Sequence, residues 1–174
     1  MSESVRQHRE SAPEGVRVAV LTISDTRTPE TDTGGDIAEG ALRGGGHEVV
    51  SRGIVRDEAT SIRTELVDLL ARPDVDAVVT TGGTGISARD TTYEVVERMI
   101  EKRLDGFGEL FRMLSYEEIG AAAVLSRAVA GAVGSKLVAS LPGSRNAVGL
   151  GMEKLLVPEI SHIVFELRKH QEKG

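Results

Sequence analysis

The chain of 174 residues contains no cysteine. Disulfides, a thiol nucleophile and a thiolate metal site are therefore excluded, and a reducing cytoplasm is the expected location. Positive charge is also in short supply: 21 lysines and arginines stand against 27 aspartates and glutamates, a net charge of −6. That balance argues against nucleic-acid binding, whose backbone affinity rests on clustered Lys and Arg. No apolar run approaches the length needed to span a bilayer, so no membrane association is expected. His8, His47, His162 and His170 are scattered without ligand spacing, and no Ser-His-Asp arrangement suggests itself. An anionic ligand would have to be held by local donors and metal, not by the protein's overall field.

What is present is ordinary for a soluble globular protein: 40% apolar and 28% charged residues, in a length suited to one domain with a sizeable core. Residues 1–15 are polar, lack the apolar core of a signal peptide and read as a flexible arm. Residues 16–167 read as the single domain, and 168–174 as a charged tail.

Val16 to Ser24 is nearly continuously apolar and β-branched, as expected of a strand buried on both faces of a parallel sheet. Ile37, Ala38, Ala41 and Leu42 follow at helical spacing, introduced by a Thr33-x-x-Asp36 capping box and ended by Gly44 to Gly46. His47 to Val55 reads as a second strand. Ile62, Leu66, Leu69 and Leu70 mark a second helix, stopped before Pro73. Asp76 to Thr81 gives a third strand and Tyr93 to about Arg103 a third helix. Phe107, Leu110, Phe111 and Leu114 share one face of a further helix, a face suited to core or subunit contact. Ala121 to Ala132 is predicted helical, Lys136 to Leu141 a strand, and Val148 to about Leu167 a last helix interrupted at Pro158. This alternation predicts an α/β fold, with a mostly parallel, doubly wound sheet and helices on both faces. Ligands in such folds sit beyond the carboxyl ends of the strands.

The most informative stretch lies at that location. After the apolar run ending in Thr80 and Thr81 come Gly82, Gly83 and Gly85 around Thr84, and Asp90 precedes a helical pattern. A turn with so few side chains exposes backbone N–H groups, and beside a helix N-terminus it suits a phosphate. Asp90 at its rim can hold magnesium. Aspartate is also a favoured helix cap, but Thr91-x-x-Glu94 is itself a capping box that leaves Asp90 outside the helix. Asp57 follows the second strand, where Thr60 or Ser61 is better placed to cap; it is either a solvated loop acid or a second metal ligand. Thr22 to Thr26 ends the first strand with hydroxyls and an acid, which serve either loop backbone or a ligand. Pro142 to Asn146 is a turn by composition that also supplies donors. Gly83-x-Gly85-x-x-Ala88 formally matches the dinucleotide fingerprint. However, Asp105, at the spacing of its ribose-binding acid, follows a helix and not a strand. A Walker loop is excluded, because no Lys-Ser/Thr follows the glycines.

Four blocks carry a resemblance: Ser24 to Arg27, Thr81 to Asp90, Gly106 to Ser115 and Leu141 to Ser144. In this order, across about Val16 to Leu167, the chain resembles the MoaB/MogA family of molybdenum cofactor biosynthesis proteins, which includes the G domains of gephyrin-like proteins. The resemblance implies a three-layer α/β/α fold, assembly as a homotrimer or homohexamer, and binding of molybdopterin. It further implies Mg2+-dependent adenylylation of molybdopterin by ATP, giving adenylyl-molybdopterin and pyrophosphate, with a molybdenum-insertion protein downstream. The family's two functional acids match Asp57 and Asp90, as catalytic residues and metal ligands. Binding is implied for Ser24, Asp25, Thr81, Gly82, Gly83, Thr84, Gly85, Pro142, Gly143 and Ser144. The segment from Phe107 to Gly120 looks more like the MoaB branch, some of whose members lack the first acid; this chain keeps Asp57. The alternatives are a molybdopterin-binding carrier without catalysis and a nicotinamide-dependent oxidoreductase.

Overall fold

In the computed structural model, which describes residues 15–169, the chain runs β1 (Arg17–Ile23), α1 (Thr33–Gly44), β2 (Glu48–Val55), α2 (Ala59–Ala71) and β3 (Ala77–Thr81). It continues through α3 (Thr92–Met99), β4 (Lys102–Arg103), α4 (Asp105–Ile119), a 3-10 turn (Gly120–Leu125), β5 (Val129–Val133) and β6 (Lys136–Leu141). Then follow α5 (Arg145–Gly151), a π-helical segment (Met152–Leu156) and α6 (Val157–Arg168). The six strands form one sheet in the order β2-β1-β3-β6-β5-β4. The first four are parallel, and β5 and β4 are antiparallel additions.

Helices cover both faces, which is why the central strands are apolar on both sides. On β1, Val18 and Val20 point into the core beneath α1, α4, α5 and α6, with Phe111, Leu141, Leu156 and Ile160. The alternate residues Ala19 and Leu21 point the other way, toward Ile62 and Leu66 of α2 and Val96 of α3. All residues of β3 are buried. The three-layer α/β/α architecture expected from the strand–helix alternation is therefore present.

Several local expectations differ. The third helix stops at Met99, because the next residues join the sheet edge: Glu101 N–H donates to the Ala132 carbonyl and Leu104 N–H to the Ala130 carbonyl, both at 2.8 Å. Ala121 to Ala132 is not one helix; only the 3-10 turn forms. Val129–Val133 instead makes a hairpin with β6, turning at Gly134 with its positive φ of 57°. Asp32, not Thr33, caps α1, its carboxylate accepting from Gly35 N–H at 3.0 Å. On α4, Phe111 is fully buried and Phe107 and Leu114 pack against the core, but Leu110 points outward. The last helical region begins at Arg145, earlier than expected, and its irregularity is the π segment just before Pro158. The expected arm lies outside the described residues except for Gly15. Of the expected tail, Arg168 ends α6 and donates to Asp76 at 2.7 Å, and residues 170–174 lie outside. Among the described residues no helix is long and apolar enough to cross a membrane.

Candidate functional site

The chain leaves β1 toward β2 on one side and returns to β3 on the other, so the carboxyl ends of β1 and β3 flank the sheet's topological switch point. Here Gly82 and Gly83 adopt positive φ, 95° and 64°. A Cβ on Gly82 would lie 2.3 Å from the Ile23 carbonyl oxygen, so only glycine lets the chain pass this close to β1. A Cβ on Gly83 would lie 2.0 Å from Thr92 Oγ1 and 2.8 Å from Asp57 Oδ2. One on Gly85 would lie 2.5 Å from Asp90 Oδ2. The missing side chains thus bring both carboxylates against the bare backbone of one turn.

The carboxylates differ in setting. Asp57 Oδ1 accepts from the N–H and the hydroxyl of Thr91, both at 3.2 Å. Its own N–H donates to Asp25 Oδ1 at 3.3 Å. Burial pushes the Asp57 carboxyl up, the Thr91 hydrogen bonds oppose this, and the charges of Asp90 and Asp25 add to the rise. No cation among the described residues pairs with it. Asp90 Oδ2 accepts from the Ser87 hydroxyl at 2.5 Å and the Ser87 N–H at 2.9 Å. The Ser87 hydroxyl holds its carboxyl below the usual range despite partial burial, helped by the backbone of Ser87 and Gly85 and by the charge of Arg127. The expected capping box at Thr91 does not form. Its hydroxyl serves Asp57, and Glu94 pairs with Arg127, because these tertiary partners outcompete the local cap.

The remaining expected residues divide between two clefts. Gly82, Gly83, Thr84, Gly85, Asp90, Pro142, Gly143 and Ser144 line a cleft of about 390 Å³, with Ser115 and Ile119 of α4. Ser144 also caps α5, accepting from Ala147 N–H at 3.3 Å. Ser24 and Asp25 line a second cleft of about 610 Å³ with Arg52 and Arg56. Ser24 Oγ accepts from the N–H groups of Thr26 and Arg27 at 3.2 and 3.1 Å, and Asp25 pairs with Arg89. Asp57 stands between, touching Asp25 on one side and Gly83 on the other. Thr81 lines neither cleft. It is buried, 3.4 Å from the Thr22 hydroxyl, which donates to the buried Asp32.

Arg127 escaped the sequence reading. It donates to the Gly85 carbonyl at 3.2 Å, pairs with Glu94 and lies 4.4 Å from the centre of the Tyr93 ring. It thereby pins the glycine turn to α3. No local signal marks it, since its partners are far away in sequence. The four glycine-turn and Pro142 to Ser144 positions, by contrast, were visible by residue type alone.

Among the described residues, no group of three or more His, Cys, Asp or Glu is gathered as a metal cage. The two carboxylates, with oxygen donors only, do fit Mg2+, which usually takes one or two carboxylates and fills its octahedron with water and ligand phosphate. The like charges around Asp57 and its lack of a cationic partner agree with that fit.

The chain matches a family model described as a probable molybdopterin binding domain over residues 19–162. Molybdenum cofactor biosynthesis protein B of Bacillus cereus is 50% identical over 167 residues, covering 95% of this chain and 99% of that protein. A crystal structure of a molybdenum cofactor biosynthesis protein B shares 50% identity at a TM-score of 0.89, covering 91% of this chain and 99% of that one. The tungsten cofactor synthesizing protein MoaB from Pyrococcus furiosus shares 38% identity at a TM-score of 0.82, covering 90% and 99%. By family model, sequence and fold alike, the chain belongs to the MoaB/MogA family of molybdenum cofactor biosynthesis proteins, those with a molybdopterin-binding domain.

Proposed function

We propose that the protein is a Mg2+-dependent molybdopterin adenylyltransferase. The observation that carries this reading is the pair of carboxylates, Asp57 and Asp90, set against the bare Gly82 to Gly85 turn at the switch point. In the reaction, a terminal phosphate oxygen of molybdopterin forms a bond to the α-phosphorus of ATP, and the bond to pyrophosphate breaks. The attacking oxygen is already anionic, so no general base is required, and catalysis reduces to alignment and charge neutralisation. That agrees with a site lacking histidine and a Walker lysine.

The N–H groups of Gly83 and Thr84 would hold the nucleotide phosphates, since that of Gly82 donates to the Leu141 carbonyl at 3.0 Å and that of Gly85 faces Asp90. Asp57 and Asp90 would hold the ion. When bound, Mg2+ supplies neutralisation of charge on the departing pyrophosphate. Pro142, Gly143 and Ser144 would contact the pterin substrate across the first cleft, with Thr84 behind them. Thr81 would act indirectly, steadying the end of β3 through Thr22. Ser24 and Asp25 would order the loop over the second cleft. Leu110, Met113, Tyr116 and Ile119 of α4 are exposed apolar side chains suited to the subunit contact of a homotrimer or homohexamer. The product would pass to a molybdenum-insertion protein.

Incubation of the purified protein with molybdopterin and MgATP should yield adenylylated pterin and pyrophosphate. Asp90→Asn should fold normally yet lower turnover by about two to three orders of magnitude, the scale of a lost electrostatic stabiliser. Normal turnover by that variant refutes the metal role. Tight molybdopterin binding without any Mg2+-dependent ATP affinity would assign the protein as a carrier instead.

A further inference from the structure

Arg89 lies in the exposed loop between the glycine turn and Asp90. Its guanidinium reaches across to the loop after β1 and pairs with Asp25 Oδ2 at 2.5 Å. The other oxygen of Asp25 accepts the Asp57 N–H at 3.3 Å, so this ion pair stands directly beside the functional carboxylates. It is also open to water: the Arg89 side chain is 70% exposed and that of Asp25 38%. Ion pairs so exposed hold weakly, and a stronger anion readily takes over the guanidinium.

The surroundings create a need for such an exchange. Asp25, Asp57 and Asp90 present three carboxylates to a ligand whose phosphates are themselves negative. Two other arginines nearby are committed, while Arg27 and Arg56 line the second cleft and not the glycine loop. Arg127 is held by the Gly85 carbonyl, Glu94 and the Tyr93 ring. Arg52 is held by Asp32, Asp36 and Glu39. Among the described residues, Arg89 is the guanidinium on the glycine loop itself whose sole ion-pair partner is solvent-exposed. A guanidinium matches phosphate oxygens two at a time, which an ammonium does not.

We propose that Arg89 is a polyphosphate-binding side chain of the nucleotide site, parked on Asp25 until the phosphates of the incoming nucleotide replace that carboxylate. This rests on the nucleotide-dependent reading above and assigns Asp25 as the partner that Arg89 leaves, not as a ligand of the nucleotide. Because Asp25 competes with the phosphates, it sets how much affinity the site gains from them.

Calorimetric titration with MgATP, on full-length protein without the pterin, tests this. Arg89→Gln should keep the wild-type melting temperature and weaken MgATP binding by about 10- to 100-fold, as for loss of a hydrogen bond to a charged group. Arg89→Lys should recover part of the loss, keeping charge without the planar fork. Asp25→Asn alone should tighten binding severalfold; in the Arg89→Gln background it should do almost nothing. Equal tightening in both backgrounds would reveal a general field effect and overturn the exchange. Undiminished binding by Arg89→Gln would overturn this inference alone, and an absence of MgATP binding in the wild type would overturn it together with the nucleotide reading.

Discussion

Replacing Gly83 with alanine probes the geometry on which the site depends. The backbone there has φ of 64°, a left-handed conformation that costs a residue with a Cβ about 1–2 kcal/mol. The new methyl would stand 2.0 Å from Thr92 Oγ1 and 2.8 Å from Asp57 Oδ2, so both side chains must shift. Thr92 is fully buried and has little room, and overpacking of this kind typically costs about 1–3 kcal/mol. The two effects together predict a loss of about 2–5 kcal/mol. For a chain of this size that lowers the melting temperature by roughly 5–20 °C. Urea denaturation with an unchanged slope measures the loss directly. Gly83→Ala combined with Thr92→Ala should regain part of it, since the worst collision is gone while the backbone penalty stays. A single Gly83→Ala variant within about 0.5 kcal/mol of wild type, the range of neutral surface changes, would refute the reasoning.

Two other substitutions should stabilise. Gly40 lies exposed in the middle of α1 with open space where a Cβ would go, so Gly40→Ala should add about 0.5–1 kcal/mol in the same urea assay. Asp57→Asn should raise the melting temperature of the cation-free protein at neutral pH. Burial, with Asp90 and Asp25 adding to it, lifts the folded-state value of Asp57 above its unfolded one despite the Thr91 hydrogen bonds. The folded state therefore binds more protons between those two values, and stability falls as pH rises through that window. Asparagine keeps an oxygen for Thr91 and removes the charge. Its advantage should vanish well below the carboxylate range, and an Asn variant that melts lower at neutral pH would contradict the sign.

The strands β1, β3 and β6 were legible because strands covered on both faces are apolar along most of their length, whereas the edge strand β2 showed itself by its β-branched residues between turn signals. α1 and α2 were legible because a half-buried helix repeats its apolar residues at the helical period. The glycine turn was legible for a different reason, since tight approach and positive φ restrict the residue type itself. The hydroxyl of Thr91 was misread because a local cap and a distant carboxylate compete for it, and sequence shows only the local candidate. The same holds for β4 and β5, whose short segments become strands through hydrogen bonds such as Glu101 N–H to the Ala132 carbonyl.

What this sequence determined by itself is the family, the layered α/β plan and the residue types at the strand ends, because periodicity, turn chemistry and motif order are local properties of the chain. Tertiary structure alone decided that Asp57 reaches the turn already bordered by Asp90, that Arg127 pins it, and that Asp25 holds Arg89 beside them. Those contacts join segments far apart in the chain, and only the pairing of β1 with β2 and β3 sets the distances between them.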